Sequence, residues 1–118
     1  MTTAAPSFTT FQWTTDAYYK AHEAGIFDEE RVELIDGEVV VMSPLNPPHV
    51  VSCQLVEAAL KRAFGRRMNV RAQSPLDVGT RSLPQPDVVV VPGSIRTYAR
   101  RHPTGSEARL VVEIAEST

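Results

Sequence analysis

Apolar and polar positions alternate in one part of the chain, recur at helical spacing in another and merge into an unbroken run near the end. The stretch "TTDAYYKAHEAG" predicts a helix from Thr14 or Thr15 to about Ala24, with a Thr or Asp N-cap and Gly25 as its C-terminal stop. In "RVELIDGEVVVMSP" the pair Asp36-Gly37 suits a two-residue hairpin turn, whose positive φ angles those residues tolerate. In that register Val32, Leu34, Val39 and Val41 share a wholly apolar face, and Arg31, Glu33, Ile35, Glu38, Val40 and Met42 make a mixed one. "PLNPPH" interrupts the pattern, and a helix is expected from about His49 to Phe64, closed by Gly65. Its predicted buried stripe is Val56, Ala59, Leu60 and Ala63.

A short strand follows at Asn69 to Gln73, extendable through Val78. "PDVVVV" predicts a strand over Asp87 to Val91, buried on both faces because alternation is lost where neither side meets water. Residues 93 to 108 are polar and basic, with two glycines and a proline, and read as a mobile connection. "LVVEIA" predicts the last strand, Leu110 to Ala115.

Composition narrows these elements to one small domain, since 118 residues at 42% hydrophobic content would leave two domains without comfortable cores. Residues 1 to 12 read as a loose leader and residues 13 to 118 as the domain. No signal peptide pattern and no bilayer-length apolar run appear, so a soluble cytoplasmic protein without a membrane partner is expected. The single cysteine, Cys53, excludes an internal disulfide and a multi-cysteine zinc site, and its helical position suggests buried packing. Charge is uneven. Residues 1 to 48 carry two basic and eight acidic groups, whereas residues 49 to 118 carry ten basic and six acidic. That asymmetry fits a polyanion-facing surface, and ordinary solvated surface accounts for it as well. The cations Lys61, Arg62, Arg66 and Arg67 suit either a helix C-terminus or phosphate contact.

The candidate chemistry lies in two carboxylates. Asp87 begins one apolar strand and Glu113 lies within another, and an unpaired buried carboxylate costs several kcal/mol. If the strands are neighbours, both acids converge at one sheet edge and can bind a hard divalent cation through oxygen. Other chemistries lack support: there is no phosphate-binding G-x-x-x-x-G-K-[ST] loop and no G-x-S-x-G elbow. His22, His49 and His102 show no metal-ligand spacing, and Cys53 has no matching partner, so neither a zinc site nor a thiol protease is expected. Trp13, Tyr18 and Tyr19 are expected to pack rather than to stack on bases.

"PQPDVVVV" followed by "LVVEIAEST" resembles the Pro-Asp and Glu strands of the PD-(D/E)XK, or restriction-endonuclease-like, nucleases. More specifically, "RVELIDGEVVVMSP", the proline-rich loop, His49 and the following helix look like the Uma2 branch, over roughly residues 10 to 118. The resemblance implies an α/β fold, a mixed β-sheet flanked by helices, with C-terminal elements missing. It implies Asp87 and Glu113 as metal-binding acids for Mg²⁺ or Mn²⁺, completed by the backbone carbonyl of Ile114. Glu33 would add a ligand or orient a water, and His49 would contact phosphate or carry a proton. The implied activity is phosphodiester hydrolysis, with DNA as partner.

One departure bears on that activity. The superfamily's lysine position, two residues after the glutamate, is Ala115, and no lysine follows Lys61. Arg96, Arg100, Arg101 or Arg109 can stabilise a phosphoryl charge but are too basic to accept a proton. The chain therefore reads either as a fragment of a longer nuclease or as a degenerate member acting in nucleic-acid binding or oligomerisation. A plain structural domain, with Asp87 and Glu113 as solvated strand ends, is the third reading. A sparsely covered last strand leads to an expectation of self-association or marginal stability.

Overall fold

A computed structural model describes residues 7 to 115. Helix α1 (Thr15–Glu23) starts where Thr14 caps it: the threonine hydroxyl accepts the Ala17 amide at 3.2 Å. Gly25, at φ +80°, turns the chain away after it, as expected. Residues 7 to 14 hold no helix or strand, although the Trp13 amide donates to Gly37 O. The first six residues of the expected leader lie outside the described residues.

Strands β1 (Val32–Ile35) and β2 (Glu38–Val41) form the expected antiparallel hairpin, with Val32 opposite Val41 and Leu34 opposite Val39. Asp36 and Gly37 both take positive φ, which matches the right-handed twist of the paired strands. Val32 and Leu34 pack with Tyr18 and Leu83, and the Tyr18 hydroxyl donates to Val32 O at 3.1 Å, pinning α1 to the hairpin. The shared apolar face is covered only in part. Val41 is 63% exposed and opens, with Val39 and Phe27, on a cleft of about 640 Å³. The segment after Thr80 straps the hairpin from the other side, with Gly37 N donating to Arg81 O and Leu83 N to Leu34 O.

Helix α2 (Pro47–Phe64) starts before the predicted His49. The two prolines open it rather than break it, because the first helical positions have no intrahelical use for an N–H. Asn46 caps it, accepting the His49 amide at 3.0 Å. The buried stripe is also shifted from the expected one: Cys53, Val56 and Leu60 face inward, while Ala59 and Ala63 are exposed. A turn of 3₁₀ helix at Gly65–Arg67 leads into β3 (Met68–Ala72).

Strand β4 (Val88–Pro92) is the centre of a three-stranded sheet, between β3 and β5 (Leu110–Val112). Val88 and Val90 face α2 and pack with Val70, Val56 and Leu60. Val89 and Val91 face the other way, against Leu76 and Tyr98. All four valines are fully buried, which is the physical meaning of the lost alternation. Pairing between the described strands is antiparallel throughout, and the parallel component of the expected mixed sheet is the isolated bridge Asp77–Thr104.

Three expected boundaries shift. β3 stops at Ala72 because Gln73 takes φ +49°, so the continuation towards Val78 does not form. Asp87 stands just before β4 rather than in it, and β5 ends at Val112, leaving Glu113 outside any strand. The 93 to 108 connection, read as mobile, is instead anchored. Tyr98 and Pro103 are buried, and Arg101 grips Glu107 at 2.6 and 3.0 Å. Among the described residues no helix is long and apolar enough to cross a membrane.

Candidate metal centre

The antiparallel registers place the acids. Val88 pairs with Val112, so one step beyond that rung Asp87 stands across from Glu113. On the other side Ala72 pairs with Val88, and the Gln73 amide is shared between Pro86 O at 3.0 Å and Asp87 O at 3.1 Å. The left-handed Gln73 thus ties the backbone of the Pro86-Asp87 step to β3. Pro86 fixes its own φ, and Asp87 emerges from a backbone held on both sides.

The Asp87 side chain is 14% exposed and both its oxygens are engaged. Oδ1 lies 2.9 Å from His49 Nε2, and Oδ2 accepts the amide of Ile114 at 2.7 Å. The bond seen from Ile114 is therefore made by its N–H, not by the carbonyl that the sequence resemblance implied as a ligand. His49 reaches the site from the first turn of α2, with its side chain 10% exposed. Its Nδ1 is buried without a hydrogen-bond partner among the described residues.

Glu113 follows β5 directly and is solvent-exposed. Its carboxyl is nonetheless pushed above the usual range, first by partial desolvation, then by the charge of Asp87 and a hydrogen bond with it, and further by Glu33. Glu33 comes from the mixed face of β1, where its Oε2 accepts the Gln85 amide at 3.0 Å. That bond extends the strap along β1 and ties the hairpin to the loop carrying Asp87. Asp87, Glu113, His49 and the Ile114 backbone are thus brought together, with Glu33 close enough to act on Glu113 electrostatically.

The sequence suggests only buried packing for Cys53. It is buried, at 5% exposure, but it also stands one helical turn after His49, and the donor atoms of His49, Cys53 and Asp87 lie within 4.8 Å of one another. Its thiol is raised by burial first, then by the charges of Asp87, Glu113 and Glu57. The i, i+4 spacing was the available signal for this grouping, but Asp87, far along the chain, is what completes it.

The arrangement fits a divalent cation on its own chemistry. Carboxylates from separate segments crowd together, no lysine or arginine bonds to Asp87 or Glu113 among the described residues, and Glu113 is raised by desolvation first and then by the charge of Asp87. Lys61, the last lysine in the sequence, is occupied with Glu57 at 2.9 Å. Oxygen donors short of a counter-charge are the setting a hard cation neutralises.

A family model described as "Putative restriction endonuclease" and named Uma2 matches residues 16–118. The chain belongs to the Uma2 family. No curated protein matches it. Uma2 membership agrees with the α/β arrangement of two helices and two small antiparallel sheets among the described residues, and makes the protein nuclease-like at a coarse level. Restriction-endonuclease-like proteins generally use a divalent metal, and the donors around Asp87 are where this Uma2 chain offers a place for one.

Proposed function

We propose that this Uma2 chain is a divalent-metal-dependent endonuclease domain that hydrolyses phosphodiester bonds in DNA. The observation that carries the reading is the opposition of Asp87 and Glu113 just beyond the last rung of the β4–β5 ladder, with the Glu113 carboxyl raised by desolvation first and then by the charge of Asp87. In this reading Asp87 and Glu113 hold Mg²⁺ or Mn²⁺, with the Ile114 carbonyl as a further oxygen. The cation, when bound, supplies Lewis acidity that polarises the phosphoryl group and lowers the pKa of the attacking water. Glu33 orients that water, and its bond to the Gln85 amide limits its freedom. His49 carries a proton between the site and solvent, since its Nε2 is already in hydrogen-bond contact with Asp87.

The basic second part of the chain supports a nucleic-acid partner. Lys61, Arg66 and Arg96 line a cleft of about 430 Å³ at the opposite end of α2 from His49. An 18-residue helix is about 27 Å long. Phosphate contacts there would lie several nucleotides from the acids, which suits positioning of a duplex rather than cleavage.

The test is nicking of supercoiled plasmid with Mg²⁺ or Mn²⁺. Activity should require the metal and fall by about 100-fold or more in Asp87→Asn and Glu113→Gln. A folded chain that binds Mn²⁺ without nicking would overturn the catalytic reading. One observation favours a second reading, a non-catalytic nucleic-acid-binding domain: the cations Lys61, Arg66 and Arg96 gather at a cleft away from the acids. Binding of labelled DNA by a chain that never cleaves it would establish that alternative.

A further inference from the structure

His49 and Cys53 offer a nitrogen and a sulfur donor from adjacent turns of α2, and Asp87 faces them with an oxygen. All three are at least largely buried. This donor set differs in kind from the carboxylate pair. Hard Mg²⁺ prefers oxygen throughout, whereas a thiolate and an imidazole select a borderline ion such as Zn²⁺ or Co²⁺. We propose that His49, Cys53 and Asp87 form a zinc-selective site that shares Asp87 with the carboxylate centre, so that Zn²⁺ and the catalytic cation compete for it. The competition rests on the endonuclease reading; the zinc site itself does not.

Two features of the geometry support it. His49 Nε2 stands 2.9 Å from Asp87 Oδ1, a separation that one small ion can bridge. Ligand atoms around tetrahedral zinc stand roughly 3.5 Å apart, so the 4.8 Å envelope closes with small side-chain rotations. On binding, the Cys53 thiol loses its proton to solvent and the sulfur lone pair forms the bond to zinc; no electron is transferred.

Cobalt is the probe, because Zn²⁺ is spectroscopically silent. Titration of Co²⁺ into the reduced full chain should produce the near-ultraviolet thiolate-to-cobalt charge-transfer band. One equivalent of Zn²⁺ should abolish it, and excess Mg²⁺ should leave it. His49→Asn and Asp87→Asn should each weaken cobalt binding about tenfold or more, while Glu113→Gln leaves it unchanged. Cys53→Ser is the spectral blank and should keep Mn²⁺ binding. No charge-transfer band in the folded wild-type chain, or unaltered affinity in both His49→Asn and Asp87→Asn, would overturn the zinc site. A cobalt band together with absent Mn²⁺ binding would support the zinc site and sink the carboxylate-metal reading instead. Where Mn²⁺ supports cleavage, Zn²⁺ should inhibit the wild-type chain at about tenfold lower concentration than the Cys53→Ser variant. Equal inhibition would overturn the competition.

Discussion

Glu107 and Glu113 flank β5 on either side and live in opposite surroundings. Glu107 takes a two-pronged bond from Arg101 at 2.6 and 3.0 Å and accepts the Thr104 amide at 2.9 Å. Those bonds hold its carboxyl at about 2, with the Arg101 hydrogen bond as the largest cause. Among the described residues no such cation meets Glu113, and desolvation together with Asp87 pushes it upward. The first acid is satisfied from within the chain, where it closes a 3₁₀ turn; the second is short of positive charge, as sites that take a ligand often are. A carboxylate's residue type says little until its counter-charge is located.

The widest break in this comparison is a change of charge at the metal centre. Asp87→Asn and Glu113→Gln should each lower Mn²⁺ affinity by about 100-fold in calorimetric titration. Arg101→Ala should leave Mn²⁺ binding unchanged and let the Glu107 carboxyl return towards the ordinary glutamate range, read by its side-chain carboxyl NMR titration. If Arg101→Ala also weakened Mn²⁺ binding, the two acids would not be independent.

Next in size is the frame that holds Asp87. Val90 is fully buried beneath α2, so Val90→Ala should cost roughly 2–3 kcal/mol in chemical denaturation. Mn²⁺ affinity per folded molecule should stay the same, because the rung beside Asp87 is made by Val88 and Val112. A variant that lost metal binding while still folded would show that site geometry depends on packing depth. A smaller effect is expected at the sheet edge. Val111 in β5 is exposed on a short edge strand, and Val111→Lys should reduce self-association in sedimentation equilibrium. A wild-type chain that is strictly monomeric at high concentration would remove that expectation.

Local signals made much of this legible in the sequence. The Asp36-Gly37 turn, the Gly25 and Gly65 stops and the twice-buried valine strand depend on residues close in sequence, and each formed, the strand one residue later than expected. Ends set by distant partners were not legible. β3 stops where Gln73 bends to reach Pro86 and Asp87, and β5 stops at Val112. The composition of 93 to 108 concealed its anchoring, since Tyr98 and Pro103 are two residues in a polar segment. At the site, family resemblance pointed to the acids and to His49, whereas Cys53 looked like packing because the sequence alone does not show α2 laid over the start of β4.

The smallest effect is the most direct measure of the contrast between the two glutamates, because it depends on sign. Glu107 has a folded-state pKa below its unfolded value, so its contribution to stability is present above the ordinary glutamate range and is lost as pH falls towards about 2. Glu113 runs the other way. Its folded pKa is raised, so relative to the unfolded chain it favours folding when protonated, and that benefit is lost as pH rises through the raised value. Glu113→Gln should therefore raise the melting temperature slightly at neutral pH, within about 3 °C for so exposed a group, with the difference vanishing in acid. Glu107→Gln should lower it at neutral pH, with that difference also shrinking in acid. Added Mn²⁺ should reverse the order for Glu113 alone, because the cation gives the carboxylate the counter-charge that Arg101 gives Glu107. Equal responses of the two variants to Mn²⁺ would mean that Glu113 is not a ligand.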